Sequence, residues 1–372
     1  MSVGWAMPAL LVWLIVLILP WRPWSTRERL EADAERRRES LDDVTVLIPA
    51  RDEAEALPKT LASLSAQGPG LYIVVVDDRS GDATGEIAQS SGVAGVRVIS
   101  GAPLPAGWTG KVWAQSQARP FLNRPLVLLL DADIALAPGL IATLRHRLRD
   151  QRLGLASLMA ELPMAGFWER LLLPAFVYFF KLVYPFHVAN SPSKRVAAAA
   201  GGCVLLETGA LDAIGGFASL RDAIIDDCAL ARKVKDAGFR TWIGLTRSVT
   251  SHRRYHGLGD IWRMVARTAF TQLRYSWLAL GLCTLVMIFS FLGPVVISFS
   301  PEPSARTIAL GAWLLMWLAY LPTLRFYRLP APWGLLMPFI GLLFLTMTWD
   351  SARRYLRGER SAWRGRRYGA GV

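Results

Sequence analysis

Four groups of residues in this 372-residue chain have the types and spacing to do chemistry. The apolar run Leu126-Val127-Leu128-Leu129-Leu130 ends abruptly in Asp131-Ala132-Asp133. A second apolar run, 71–76, ends in Asp77-Asp78; Gly201-Gly202 stands before a third; Asp226-Asp227 follows Ile224-Ile225. Asp131 and Asp133 offer two hard oxygen ligands suited to Mg²⁺ or Mn²⁺ carrying a substrate diphosphate. Asp77 and Asp78 are placed to take the ribose or base of a nucleotide. One of Asp226 and Asp227 could take the proton of an attacking hydroxyl. Together the groups are equipped to move a sugar from a nucleotide donor, with a metal supporting the departing diphosphate. Each group taken alone also has a plainer reading. The D-x-D can be a solvated turn after a core strand, the glycines a tight turn, and Asp226-Asp227 the acids that cap a helix.

The elements that must position these residues alternate between strand and helix. Strands are predicted at 44–48, 71–76, 96–99 and 126–130, with helices near 54–65, 84–90 and 112–118. That order predicts a parallel, doubly wound sheet, in which the acid-bearing strand ends share one edge. Residues 155–162 could add a strand, 208–214 a short helix, and 228–236 a helix closed by Gly238. No Gly-x-x-x-x-Gly-Lys-Ser/Thr loop and no Gly-x-Gly-x-x-Gly after the first strand is present, which disfavours a nucleotide-hydrolysing motor and a dinucleotide oxidoreductase.

Hydrophobic residues make up 53% of the chain, charged residues only 19%, and there are 15 Trp, a membrane-like balance. The net charge of +13 comes largely from arginines beside apolar runs, so a bilayer is the expected partner and nucleic acid is not. Residues 1–21 are expected to form an uncleaved transmembrane helix and 22–43 an exposed linker helix. Residues 44–275 are expected to form the catalytic domain, with a pair of helices about 166–188 lying in the headgroup region or, alternatively, buried in the core. Residues 276–350 are expected to hold three further apolar segments, and 351–372 a basic cytoplasmic tail. Three crossings after a cytoplasmic domain would put that tail outside, against the positive-inside rule. The proline-rich last segment is therefore expected to be re-entrant or interfacial. Cys203, Cys228 and Cys283 are odd in number and widely separated, which gives no disulfide framework and no metal spacing.

Taken in order, Ile48-Pro49-Ala50-Arg51-Asp52-Glu53, Val76-Asp77-Asp78-Arg79-Ser80-Gly81-Asp82-Ala83-Thr84, Asp131-Ala132-Asp133, Gly201-Gly202 and Asp226-Asp227-Cys228-Ala229-Leu230 resemble the blocks of inverting family 2 glycosyltransferases of the GT-A fold. The loop Gly107-Trp108-Thr109-Gly110-Lys111 and the run Trp262-Arg263-Met264-Val265-Ala266-Arg267-Thr268 are similar to those of hopene-associated glycosyltransferases; carotenoid glycosyltransferases look alike around the same loop. The resemblance implies a GT-A (Rossmann-like) catalytic domain with flanking transmembrane helices, in a bacterial inner membrane with the domain facing the cytoplasm. It implies that Pro49, Ala50, Arg51, Glu53, Asp77 and Asp78 line the nucleoside pocket. Asp131 and Asp133 would hold a divalent metal and donor, Asp133 more directly on the metal, and Lys111 would reach the donor phosphates. Asp227 matches the catalytic base, with Asp226 in place of the usual Glu. His252 or His256 could be a further metal ligand, although a lone His among arginines is often only a surface residue. The Gln-x-x-Arg-Trp block of processive members is absent, and Asp52 replaces the usual Asn. These features favour single sugar transfer to a lipid acceptor, possible in hopanoid synthesis, over a processive polysaccharide synthase or a non-catalytic scaffold.

Overall fold

The computed structural model describes residues 3–359, 361–363 and 366–368. It divides into two compact units, one chiefly Glu28–Pro163 with Val188–Arg254, the other Met1–Arg27, Met164–His187 and Tyr255–Ser361.

The first unit is built on an eight-stranded sheet: β1 Val44–Ala50, β2 Tyr72–Asp77, β3 Val96–Ser100, β4 Leu126–Leu130, β5 Ile134–Leu136, β6 Leu153–Glu161, β7 Cys203–Glu207 and β8 Arg240–Ser251. The strand order is β3-β2-β1-β4-β7-β6-β8-β5. β3, β2, β1 and β4 are parallel, as strand–helix alternation predicts. β1 and β4 are buried along their whole length, which is why they read as unbroken apolar runs. Beyond β4 the sheet is mixed: β7 runs antiparallel to both β4 and β6, and β5 antiparallel to β8. This reversal brings Cys203, the first residue of β7, opposite Leu130, the last of β4, so Gly201-Gly202 arrives at the acid-bearing edge.

The stretch 22–43, expected as a linker helix, contains only the 3₁₀ turn Ala34–Arg38. From Glu28 on it is strapped to the sheet unit: the Leu30 amide donates to Leu245 O, and Glu31 takes the Ser248 hydroxyl. The nearly buried Arg145 guanidinium pairs with Glu39 at 2.7 Å and Asp43 at 2.8 Å. The alternating Arg and Glu residues that look like a solvated helix face are here partners for the sheet unit's own cations and backbone.

The second unit is helical. Among the described residues, three segments are long and apolar enough to cross a membrane: Trp277–Ser298, Pro303–Phe326 and Ala331–Leu356; Val3–Ile18 is a shorter apolar helix of 16 residues. Val3–Ile18 runs alongside Pro303–Phe326 with small residues at the seam, Ala6 packing with Ala305 and Ala309, which lets the backbones approach closely. Pro294 has no N–H for the Ser290 carbonyl, and the Trp13 indole donates to that carbonyl instead, at 2.8 Å. The helix Phe167–Val183 buries Leu171, Leu172, Leu173, Val177 and Tyr178, with Tyr178 against Tyr320 and Phe179 against Phe291 and Phe344. The expected second helix of that pair is only the turn Phe186–Ala189.

The last apolar segment enters and leaves at one end. Ala331–Leu336 folds back along its predecessor, with the Trp317 indole donating to Ala331 O and that of Trp313 to Leu335 O. Met337–Leu356 then returns beside Trp277–Ser298: Gly341 abuts Phe291, the Trp349 indole donates to Thr284, and Tyr355 stacks on Tyr275. Ile18, Trp277, Phe326 and Leu356 therefore share one end of the helical unit. Arg22, Arg274, Arg325, Arg328, Arg353, Arg354 and Arg357 flank that end, whereas the loop joining the first two long segments leads into Glu302 and Arg306. Of the expected basic tail, Arg360 and Arg364 lie outside the described residues.

Candidate active site

The site is assembled at the edge where β1, β2 and β4 end. Asp131 follows β4, and its amide donates to Gly202 O at 3.1 Å, locking the D-x-D to the glycine turn. The preceding residue Ala200 is held by the buried Ser157 hydroxyl, which accepts from its amide at 2.8 Å. Asp226 and Asp227 occupy the first turn of the helix Asp226–Asp236, where the helix dipole favours acids, and Lys233 and Lys235 occupy its last turn. The acids stand at a helix N-terminus, as expected, but the N-cap is Ile225 and no side chain caps it. Both carboxylates instead point into the shared site.

Asp227 Oδ2 accepts from the Gly201 amide at 2.7 Å, and Oδ1 accepts from the Cys228 amide at 2.7 Å. A Cβ on Gly201 would lie 3.2 Å from Asp227 Oδ2 and 3.3 Å from Lys111 Nζ, so a side chain there would press on both charged groups. Lys111 Nζ lies 2.6 Å from Asp131 Oδ1 and 3.6 Å from Asp226 Oδ2. One ammonium thus ties the D-x-D to the distant acid pair. Burial works against the Lys111 charge, but Asp131 and then Asp226 outweigh it and hold its pKa above the usual lysine value. Burial and then the neighbouring Asp226 push the Asp227 carboxyl up to about 6, only partly countered by Lys111. Burial, followed by Asp131, pushes the Cys203 thiol up to about 12, so at neutral pH it stays a protonated core residue.

Asp133 lies at the start of the β5–β8 ladder, where its carbonyl accepts from the His252 amide at 2.7 Å. No strand is expected at 240–251, so this pairing was not foreseeable from motif spacing. The β-branched and aromatic residues Thr241-Trp242-Ile243 were the available signal. Burial and then Lys59 lower the His252 pKa, which favours the neutral ring that binds metals. The two carboxylates are the right kind of donor for Mg²⁺ or Mn²⁺, whereas an imidazole is a softer ligand that hard Mg²⁺ does not favour. Among the described residues no three His, Cys, Asp or Glu side chains form a ready-made metal cage, so a substrate diphosphate would have to complete the coordination.

The two loops after β1 and β2 interlock beside this cluster. Arg51 Nη1 donates to Asp78 O at 2.6 Å and Arg79 O at 3.0 Å. Asp52, with φ 51°, accepts from the Gly81 amide at 2.7 Å, and Ser80 donates to Asp77 Oδ1. The Glu53 amide donates to Thr84 Oγ1 and the Ala54 amide to Asp82 Oδ2. Pro49, Ala50 and Asp78 are fully buried, with Ala50 O accepting from the Asp78 amide. These residues therefore shape the loops from beneath, and Arg51 braces the second loop through its carbonyls. Ser80, Asp82 and Thr84 do as much to set this wall as the expected residues. Their sign in the sequence is the short-polar pattern after β2, which favours side-chain-to-backbone turns.

A family model described as glycosyltransferase-like family 2 matches residues 42–269. The 4,4'-diaponeurosporenoate glycosyltransferase of Staphylococcus haemolyticus (strain JCSC1435) is 33% identical over 144 residues, which are 38% of this chain and 38% of that protein. The chain thus matches well under half the length of that curated relative. The mannosyltransferase PcManGT of Pyrobaculum calidifontis, solved with GDP-Man and Mn²⁺, is similar in fold, with a TM-score of 0.56 at 18% identity, over 95% of this chain and 98% of that one.

Proposed function

The chain belongs to glycosyltransferase-like family 2, and from that premise we propose that it transfers a sugar from a nucleotide-sugar donor to a lipid acceptor at a membrane, with a divalent metal. The observation that carries the reading is the convergence of Asp131, Asp226 and Asp227 on Lys111 and Gly201 at one strand edge. Asp227 is the base. Its raised pKa leaves it ionised at neutral pH yet basic enough to accept a hydroxyl proton. The acceptor oxygen bonds to the anomeric carbon as the bond from that carbon to the diphosphate oxygen breaks. The proton passes to Asp227 and the nucleoside diphosphate departs, so a single displacement inverts the centre. Asp131 and Asp133, with His252, would hold the metal, which neutralises the departing diphosphate when bound. The loops around Asp77 and Arg51 wall the nucleoside side.

A lipid acceptor is supported by the apolar helices and by the name of the Staphylococcus relative, which is lipid-related. A hopanoid acceptor is the narrower form of this reading, supported by the Gly107–Lys111 loop and the 262–268 run. The orientation follows from the arginines: the end bearing Ile18, Trp277, Phe326 and Leu356 faces the cytoplasm of a bacterial inner membrane. In that frame the basic tail is cytoplasmic, because Ala331–Leu356 does not add a crossing. The catalytic domain expected at 44–275 then corresponds to the sheet unit without Met164–His187 and the chain from Tyr255 on, which belong to the helical unit. The test is a thermal-shift screen of nucleotide sugars with Mn²⁺ on detergent-solubilised protein. One donor should stabilise strongly and only with metal; a flat response across the panel would refute the reading.

A further inference from the structure

Lys111 sits in an electrostatically awkward place. It is in the first turn of the helix Gly110–Gln117, whose N-terminus carries the positive end of the dipole, and it is largely buried. Both facts disfavour an ammonium there. What compensates is the contact to Asp131 Oδ1 at 2.6 Å and the approach to Asp226 Oδ2 at 3.6 Å. Those acids would otherwise repel each other across the site. Asp131 is also one of the carboxylates proposed to receive the metal, so a divalent cation and this ammonium compete for the negative charge of one carboxylate.

Resting on the proposed reading of the site, we propose that Lys111 is a tethered stand-in for the divalent cation. Without ligands its ammonium neutralises Asp131 and Asp226 and keeps the D-x-D and the acid pair in register. When metal is taken up, Lys111 leaves Asp131 and its ammonium pairs with the donor diphosphate. Metal and diphosphate binding are therefore coupled through one side chain: each makes room or charge for the other. Lys111 is a positioning residue in the free protein and a donor contact in the loaded one.

The experiment measures Mn²⁺ and inorganic pyrophosphate binding by calorimetry to the full chain in nanodiscs, for wild type, Lys111→Met and Lys111→Arg. Lys111→Met should bind Mn²⁺ alone at least tenfold tighter. It should bind pyrophosphate without metal at least tenfold more weakly, and the mutual enhancement of the two should shrink to what direct metal–pyrophosphate coordination alone supplies. Lys111→Arg keeps the charge and should bind Mn²⁺ alone within a few-fold of wild type. Circular dichroism and melting of each variant establish that it is folded; if Lys111→Met does not fold, the Arg variant and the wild-type coupling still decide. Unchanged or weaker Mn²⁺ binding by folded Lys111→Met overturns the proposal, as does a metal–pyrophosphate enhancement as large as in wild type. Such a result leaves the glycosyltransferase reading standing if wild-type protein still turns over a nucleotide sugar with Mn²⁺. If wild type neither binds Mn²⁺ nor turns over a donor, both fall.

Discussion

Asp227→Asn separates a catalytic acid from a structural one, because the two roles predict opposite effects on stability. The folded protein moves this carboxyl from 3.8 to about 6. The upward direction means that the folded state disfavours the ionised form. Below pH 4 both folded and unfolded chains carry the proton and nothing is lost. As pH rises through 6 the folded chain must ionise a partly desolvated group, and stability falls. A shift of roughly two pKa units corresponds to ~3 kcal/mol. Asparagine removes the charge but can accept from only one of the Gly201 and Cys228 amides, which returns ~1 kcal/mol. The net expectation at pH 8 is a gain of about 1–2 kcal/mol, read as a rise of roughly 2–6 °C in melting temperature. Transfer should fall by ~10²–10⁴, the contribution of a positioned base, with donor binding kept. In wild type, transfer should drop tenfold per pH unit below about 6. A lower melting temperature together with lost donor binding would mean that Asp227 serves mainly to hold the glycine turn, and the assignment as base would be withdrawn.

Four further outcomes follow from the same geometry. Asp226→Asn removes the charge that, after burial, does most to raise Asp227, so the acid limb of the pH–rate profile should move below 6. Asp133→Ala should abolish Mn²⁺-dependent donor binding; calorimetry showing an unchanged metal-stimulated affinity would remove Asp133 from the metal set. Gly201→Ala puts a methyl 3.2 Å from Asp227 Oδ2 and 3.3 Å from Lys111 Nζ, and transfer should fall at least tenfold while melting changes little. A single cysteine at Glu302 should be labelled by a membrane-impermeant maleimide from the periplasmic side and one at Gly358 only after lysis; the reverse pattern would invert the topology.

How much could be seen beforehand differs from element to element. The parallel half-sheet was legible because β1, β2 and β4 are buried on both faces and so are spelled as short apolar runs. Their acidic ends were legible because a carboxylate directly after such a run has few structural uses. β7 was foreseen as a strand but not as an antiparallel one, since direction depends on where the long connection from β6 returns. β8 and β5 were missed: β5 has three residues, and β8 carries Thr, Arg and Ser in a run without clean alternation. His252 was named from resemblance, but its place beside Asp133 depends on that unseen ladder. Lys111 illustrates the deeper limit. Its resemblance-based role on the donor phosphates carried no hint that Asp131 and Asp226 would claim its charge. Residues 28–43 were misread because alternating Arg and Glu look the same on a solvated helix and on a strap whose partners lie far along the chain. The last apolar segment was singled out from charge and its prolines, and the packing of Tyr355 on Tyr275 shows where the chain returns within the helical unit.

The decisive question is whether this edge of the sheet passes a sugar to a lipid. Purified protein in nanodiscs made from bacterial lipid extract, given radiolabelled nucleotide sugars and Mn²⁺, should put label into the organic phase. That label should vanish with chelator, with Asp133→Ala and with Asp227→Asn. Label that stays wholly aqueous for every donor, or that reaches lipid undiminished in Asp227→Asn, would contradict it.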